Sequence, residues 1–410
     1  MTIVLFIKVA ISAIVPASKD MADTINFAMS IGEPQSLNGP WILLTAQILN
    51  AWHSLTSTTA PLQTLLTVPP SEMPTDLRLL ILLLRLPTIM FDVAIAAAVF
   101  YAVMKITSSA ILARLAALAW FLNPYATFGV EMLGVPDVSA AFFTVIAFIL
   151  LQSKRPASSG LALGAGIALK LYPIFFLPQV LFFAARIGSR RRFRILMLTF
   201  TLLGFLAYFA WALQVGWAAL SNTAVDYTPV TTPIGAIFDF SPQARLSVAA
   251  FALIILSFVT WSLARNPKTL VSHTILPALL VYYTFSDPRP QYLIWALPLL
   301  TIDVAIIRRR NFVPLIITLA LMFGLGLLLS KGYSTPSGYS LLLFPLQGQD
   351  LPWYSQAIVS FFKDPIAPIV LFPLVRATLA ATTLIYALEI IRSWSPSTPE
   401  QTTQVTQLTD

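Results

Sequence analysis

Cysteine is absent from the sequence, histidine occurs only twice, and charged residues are scarce. The absence of cysteine excludes disulfide bonds, thiolate catalysis and cysteine-based metal or cluster sites. His53 and His273 are far apart in the chain, so a multi-histidine metal site is not expected. Charged residues make up 10% of the 410 residues, whereas a soluble domain has about 25%. This shortage excludes a soluble globular chain, a disordered chain and an ordinary nucleic-acid-binding protein.

Apolar residues dominate what is present. They make up 57% of the chain, and the mean hydropathy is +0.81. Because a helix needs about 20 apolar residues to cross a bilayer, the sequence predicts an all-α polytopic membrane protein with about twelve transmembrane helices. The predicted helices cover residues 2–16, 79–104, 110–125, 136–152, 158–170, 172–185, 195–214, 246–264, 269–286, 291–307, 311–330 and 366–391.

The connecting segments fall into two chemical groups. One group carries 14 of the 25 lysines and arginines, and the other carries 12 of the 17 acidic residues. Cationic loops mark the cytoplasmic side of a membrane protein, so the acidic loops at 17–78, 215–245 and 331–365 are predicted to face outside. We expect one transmembrane domain over residues 1–394 and a disordered cytoplasmic tail over 395–410, which is rich in Thr, Gln and Ser.

Two turns follow from the same charge pattern. Cationic segments flank residues 158–185 and 269–307 on both sides, so each stretch must be a hairpin rather than a single span. The turns are predicted at 170–173 and 286–290, where prolines disfavour helix. In the first outer loop, residues 41–52 form an amphipathic segment that is suited to lying in the membrane interface.

Acidic residues in the outer loops are candidates for catalysis. Asp20 and Asp23 directly follow the first predicted helix, where a carboxylate can act as a general base on a sugar hydroxyl or hold a divalent cation. The alternative is a solvated acid pair. Glu131 and Asp137 lie in a second outward loop, although Asp137 is also well placed to be only the N-cap of the next helix. No metal site is assigned.

Two cations lie at the predicted hairpin turns. Lys170 has apolar sequence on both sides, and a lysine at membrane depth is costly and usually functional. It is expected to neutralise a lipid-linked phosphate, unless it only snorkels to the headgroups. Arg289 is bracketed by prolines, and its guanidinium suits bidentate phosphate binding. Its alternative is a surface pair with Asp287, which would contribute little.

Other polar and small residues inside the spans are expected to have structural roles. Arg85 and Asp92 are too far apart along one helix to bond to each other, so they should bond to neighbouring helices. The glycines at 160, 164 and 166 are typical of a small-residue face for close helix packing.

Five local motifs together resemble the GT-C superfamily of integral-membrane glycosyltransferases, which use polyprenyl-phosphate sugars as donors. Within it, the chain resembles mannosyltransferases similar to the catalytic subunit of GPI mannosyltransferase I, or their small prokaryotic relatives. The motifs are Asp20 with Asp23, Arg85-Leu86-Pro87 with Asp92, Asn123-Pro124 with Gly134 and Asp137, Ala168-Leu169-Lys170-Leu171-Tyr172-Pro173 with Leu177-Pro178, and Arg289-Pro290-Gln291-Tyr292 with Trp295.

The resemblance implies a function and a site. A hexose, mannose by likeness, would move from the donor to a glycolipid or lipid-linked acceptor, at the outer face of the plasma membrane and by inverting displacement. Asp20 would be the base, with Asp23 as second choice, supported by Asp137 and Glu131. The residues that would hold the donor phosphate are Lys170, Arg289, Tyr172 and Gln291. No cofactor is assigned, and a role for a divalent cation stays open.

Two other functions fit parts of the pattern. Twelve spans with charged residues inside them also suit a secondary transporter of a small solute or a lipid-linked glycan, although the sequence has no internal repeat of the kind common in transporters. A non-enzymatic assembly partner of another membrane enzyme is the third possibility. Membrane lipids are expected partners in every case, and nucleic acid in none.

Overall fold

A computed structural model describes residues 2–14, 21, 24, 25, 28, 39–56, 74–123, 126–132, 134, 136–186, 190–215 and 293–307, together with 381, 385 and 388. Within this part the chain is helical and contains no β-strand. The helices are α1 (Thr2–Ile14), α2 (Gly39–Thr56), α3 (Thr75–Thr107), α4 (Ala110–Phe121), α5 (Asp137–Gln152), α6 (Pro156–Leu169), α7 (Leu177–Arg186), α8 (Arg191–Val215) and α9 (Leu293–Ile307).

The apolar runs correctly predicted where the described helices lie. Eight of the twelve predicted helices fall in this part of the chain, and each is present. The ends of several differ from the prediction by up to four residues, as for α3, which begins at Thr75, and α8, which begins at Arg191. The helix predicted over 110–125 ends at Phe121, and the one predicted over 172–185 begins as a 3₁₀ turn, Tyr172–Phe176, before α7. Four predicted helices and the predicted tail lie outside the described residues, except for positions 381, 385 and 388. These are the helices over 246–264, 269–286, 311–330 and 366–391, and the tail from 395.

Two of the described helices are long and apolar enough to cross a membrane. They are α3, with 33 residues, and the Arg191–Trp211 part of α8. The other apolar helices in the described ranges have 10–17 residues, which is short of the approximately 20 needed for a full crossing. By length and composition, the described chain thus has two helices that could cross a membrane, and the prediction of twelve complete spans is not confirmed.

The described helices place two groups of residues at opposite ends, which we call the basic end and the site end. The basic end holds Lys105, where α3 ends, and the α5–α6 turn at 153–155, and Lys105 donates a hydrogen bond to Ser153 across it. The site end is opposite and holds the start of α5 and the end of α6, joined by an ion pair between Asp137 and Lys170. Lys8 of α1 pairs with Asp92 of α3, and Ser12 of α1 contacts Arg85 of α3, so the two helices are antiparallel. α1 therefore also ends at the site end.

The helical hairpin predicted at 170–173 agrees with the path of the chain. α6 and α8 lie side by side and run in the same direction, with Gly160 against Met197 and Gly164 against Phe200. The chain must therefore return to the basic end between them. The 3₁₀ turn and α7 together span about 25 Å, which is enough to go back along the roughly 21 Å of α6.

Glycine makes the contact between α6 and α8 possible. A methyl group added at Gly160 would lie 2.4 Å from the carbonyl oxygen of Met197, and one at Gly164 would lie 2.3 Å from that of Phe200. Gly204 of α8 faces the Gly164 backbone in return. The predicted small-residue face is confirmed for Gly160 and Gly164. It is wrong for Gly166, which lies two residues further round the helix, against Ala140.

Alanine substitutions test this packing. We expect Gly160→Ala to lower the thermal unfolding midpoint of the detergent-solubilised protein, because the helices must move apart at a cost of roughly 1–3 kcal/mol. Gly166→Ala is the matched control in the same helix. Its new methyl group would meet neighbours only at 3.4 Å, so its midpoint should stay close to that of the wild type. Equal midpoints for the two variants would contradict the described contact.

The amphipathic segment predicted at 41–52 is the centre of α2. Trp41 and Trp52 are buried. Ile42, Ala46 and Leu49 of the same helix pack in a cluster with Leu77, Leu80 and Ile81 from the start of α3. One face of α2 is therefore anchored to the helical body near the site end.

Candidate functional site

A buried carboxylate at the start of α5 organises the site end. Asp137 Oδ2 accepts a hydrogen bond from Lys170 Nζ at 3.1 Å, and Oδ1 accepts one from Trp295 Nε1 at 2.7 Å. The Asp137 side chain is 2% exposed, whereas the Lys170 side chain is 25% exposed. Three elements that are distant in sequence therefore meet at one carboxylate, and only the lysine reaches the surface.

An aromatic pair forms the inner wall of this site. The rings of Tyr172 and Trp295 are stacked, with centroids 3.9 Å apart and planes 3° from parallel. Both residues are buried. Since Trp295 also donates to Asp137, the stack fixes the indole, the indole fixes the carboxylate, and the carboxylate fixes the lysine.

Local sequence explains why Lys170 is displayed here. α6 ends at Leu169, and Lys170 has an extended backbone with φ −155° and ψ 136°. Pro173 follows in the 3₁₀ turn, and a proline in this position prevents α6 from continuing. The lysine therefore lies at the corner between two helical elements rather than on a helix face.

A second cluster of charged groups is completely buried between α1, α3 and the π-helical turn Thr127–Met132. Lys8 Nζ donates to Asp92 Oδ2 at 2.8 Å and to Glu131 Oε1 at 3.1 Å. The same ammonium lies 4.8 Å from the centroid of the Phe121 ring. One cation thus bonds to two carboxyl groups that the sequence separates from it by 84 and 123 residues.

Arg85 attaches α3 to α1 about two turns of α3 before Asp92. Its Nη1 donates to the carbonyl oxygen of Ser12 at 2.6 Å, and the side chain is fully buried. Gly134 covers the arginine with a left-handed backbone, φ 65°, in which a side chain would be strained. The prediction that Arg85 and Asp92 bond to neighbouring helices is confirmed, and α1 is that neighbour for both.

The structure brings together some of the predicted site residues and separates others. Lys170, Asp137 and Tyr172 share the site end. The idea that Asp137 is only an N-cap is wrong, because Pro136 occupies the cap and the Asp137 carboxylate bonds to Lys170 and Trp295. Glu131 was predicted to face outside, but it is buried against Lys8. Asp20, Asp23, Arg289 and Gln291 lie outside the described residues.

Two residues of these clusters had no predicted role. Trp295 stood in a motif without an assigned contact, and Lys8 was only a cation inside an apolar helix. A lone lysine in such a helix signals a buried acidic partner, although the sequence does not indicate which acids those are. Within the described ranges, no group of three or more His, Cys, Asp or Glu residues could hold a metal ion.

Comparisons with protein-family models, with curated proteins and with solved structures found no match to this chain. The function must therefore be argued from the residues and from the geometry of the site.

Proposed function

We propose that the chain is a GT-C-like glycosyltransferase of the plasma membrane, with about twelve spans. It moves a hexose, mannose by resemblance, from a polyprenyl-phosphate donor to a lipid-linked or membrane-associated acceptor on the non-cytoplasmic side. The observation that carries the proposal is the partly exposed Lys170, held at a helix corner by a buried carboxylate.

The directions of the helices support a common site. α1 ends at the site end, and Asp20 and Asp23 follow it within nine residues in the sequence. α9 begins at the same end with Trp295 against Asp137, and Arg289 and Gln291 precede it within a few residues. All the proposed catalytic and phosphate-binding residues are therefore close in sequence to helix ends that share one side of the molecule.

The proposed reaction is a single displacement. The acceptor hydroxyl oxygen attacks the anomeric carbon, and its proton passes to the Asp20 carboxylate. The bond between that carbon and the phosphate oxygen breaks, and the electron pair leaves with the polyprenyl phosphate. The leaving phosphate gains negative charge, so fixed cations beside it lower the barrier.

The ion pair with Asp137 is compatible with phosphate binding. A lysine ammonium has three N–H donors, and Asp137 accepts one of them. The exposed quarter of the side chain is where a phosphate oxygen would approach. Asp137 holds the ammonium in place, which reduces the conformational freedom that would be lost when the donor binds.

Titration of polyprenyl phosphate tests the donor site. We expect Lys170→Met and Arg289→Met each to weaken binding about 10- to 100-fold, since a charge-assisted hydrogen bond contributes about 1.5–3 kcal/mol. Arg289→Lys should also be defective, because a point charge cannot replace the guanidinium fork. Binding is measured with the purified full-length chain in detergent.

Lys105→Met is the matched control, since Lys105 is an exposed lysine at the opposite end. Its affinity for polyprenyl phosphate should equal that of the wild type. Unchanged affinity in Lys170→Met, Arg289→Met and the double variant would remove these residues from the site.

The buried Lys8 cluster favours a second candidate, a secondary transporter. Charged groups within spans often mark ion pathways, and Asp92 Oδ1 and Glu131 Oε2 are buried without a hydrogen-bond partner in the described part of the chain. A proton bound there would give one of these oxygens a donor. Reconstituted vesicles separate the two functions. A proton-coupled transporter accumulates solute when a proton gradient is applied, whereas the proposed enzyme transfers labelled sugar without a gradient.

A further inference from the structure

The basic end carries a cationic surface that the proposed reaction does not use. Five side chains form what we call the basic face, and all five are exposed: Lys154, Arg155, Arg190, Arg191 and Arg192. Lys154 and Arg155 belong to the α5–α6 turn, Arg190 directly precedes α8, and Arg191 and Arg192 are its first two residues. Because α6 and α8 are parallel and touch at Gly160 and Met197, both groups lie on the same side of the molecule.

No described acidic side chain balances this charge. The described part of the chain holds five acids. Asp76, Glu131 and Asp137 lie towards the site end, and Asp92 is near the middle of α3, paired with Lys8. The fifth, Asp303 of α9, is completely buried. The cations of the basic face therefore repel one another, and an external anionic group would relieve that repulsion.

Apolar side chains adjoin the basic face and indicate which anion fits. Ile195 and Leu196 are 53% and 41% exposed, one helical turn after Arg191 and Arg192. On α6, Leu161 is 58% exposed and follows Arg155 by six residues. A layer of cations directly above an exposed apolar surface matches the boundary between lipid headgroups and acyl chains.

We propose that the basic face binds the headgroups of anionic phospholipids, with the arginines at the phosphate level and the apolar residues of α6 and α8 against the chains. Clusters of four to eight cations at the cytoplasmic end of a membrane helix attract anionic lipids, and the parallel packing of α6 with α8 joins two sequence segments into one such cluster. This proposal does not depend on the catalytic role suggested for the site end.

Binding of short-chain fluorescent lipids to the purified full-length protein in detergent tests the proposal. We expect phosphatidylglycerol to bind more tightly than phosphatidylcholine, and to bind less as salt is raised. Replacing Arg190, Arg191 and Arg192 together by glutamine should weaken phosphatidylglycerol binding at least about tenfold, since each cation near an anionic surface contributes a factor of roughly five.

Two controls make the result specific. Replacing the same three arginines by lysine keeps the charge, and binding should stay within a factor of about five of the wild type. Arg78→Gln changes a cation in the first turn of α3, at the opposite end, and should bind phosphatidylglycerol normally. Equal binding of the two lipids by the wild type, or undiminished binding by the glutamine variant, would overturn the proposal. Binding of a polyglutamate peptide but not of phosphatidylglycerol would also overturn it, in favour of a soluble acidic partner.

Discussion

Lys8→Met is expected to destabilise the folded protein by about 3–5 kcal/mol, the usual cost of removing one partner from a buried ion pair. Asp92 and Glu131 would remain buried without the ammonium that bonds to both. The expected result is a lower thermal unfolding midpoint and less folded protein after detergent extraction. Size-exclusion chromatography of heated samples measures both quantities.

Two further variants identify the cause of that loss. Lys105→Met removes an exposed lysine and should leave the midpoint close to that of the wild type. Lys8→Met combined with Asp92→Asn and Glu131→Gln removes the unpaired charge, so it should recover most of the lost stability. A Lys8→Met midpoint equal to the wild type would mean that the cluster does not hold α1 in place.

Asp20→Asn is expected to reduce sugar transfer about 100-fold or more, as for the loss of a general base. The amide keeps the shape of the carboxylate but cannot accept the acceptor's proton. Transfer of labelled mannose from a polyprenyl-phosphate donor to lipid acceptors is the measurement. Asp23→Asn should have the smaller effect, because Asp20 is closer in the sequence to the end of α1 and so to the membrane.

Asp76→Asn is the control for that experiment. Asp76 is an exposed acid in the first turn of α3, which starts at the site end. The control should transfer sugar at the wild-type rate. Near-normal transfer by both Asp20→Asn and Asp23→Asn would exclude the first outer loop as the catalytic centre. Unchanged donor affinity in Lys170→Met, Arg289→Met and the double variant would separately exclude the phosphate site.

The helices of the described chain could be predicted from sequence because apolar runs and prolines act locally. The break after Leu169 follows from Pro173, and the charge flanks of 158–185 require the hairpin. The partners of the charged residues could not be predicted in the same way. Lys8 bonds to residues 84 and 123 positions away, and nothing local encodes that choice.

The site shows the same division between local and distant information. The position of Lys170 at an exposed corner follows from its neighbours in the chain. Its partner Asp137 was predicted as a supporting acid and not as a contact of Lys170. Trp295 is 158 residues from Asp137. Sequence identifies which polar residues are costly at membrane depth, but only the packing of helices determines which of them compensate each other.

The separation of these partners along the chain also determines the order in which the ribosome makes them. Lys170 follows Asp137 by 33 residues, so a ribosome at about 5–20 residues per second completes that pair within roughly 2–7 s. Trp295 follows by 158 residues, which takes roughly 8–30 s. The partner Lys170 is thus synthesised soon after Asp137. Trp295, which completes the stacked pair with Tyr172, is synthesised only after the long segment between α8 and α9.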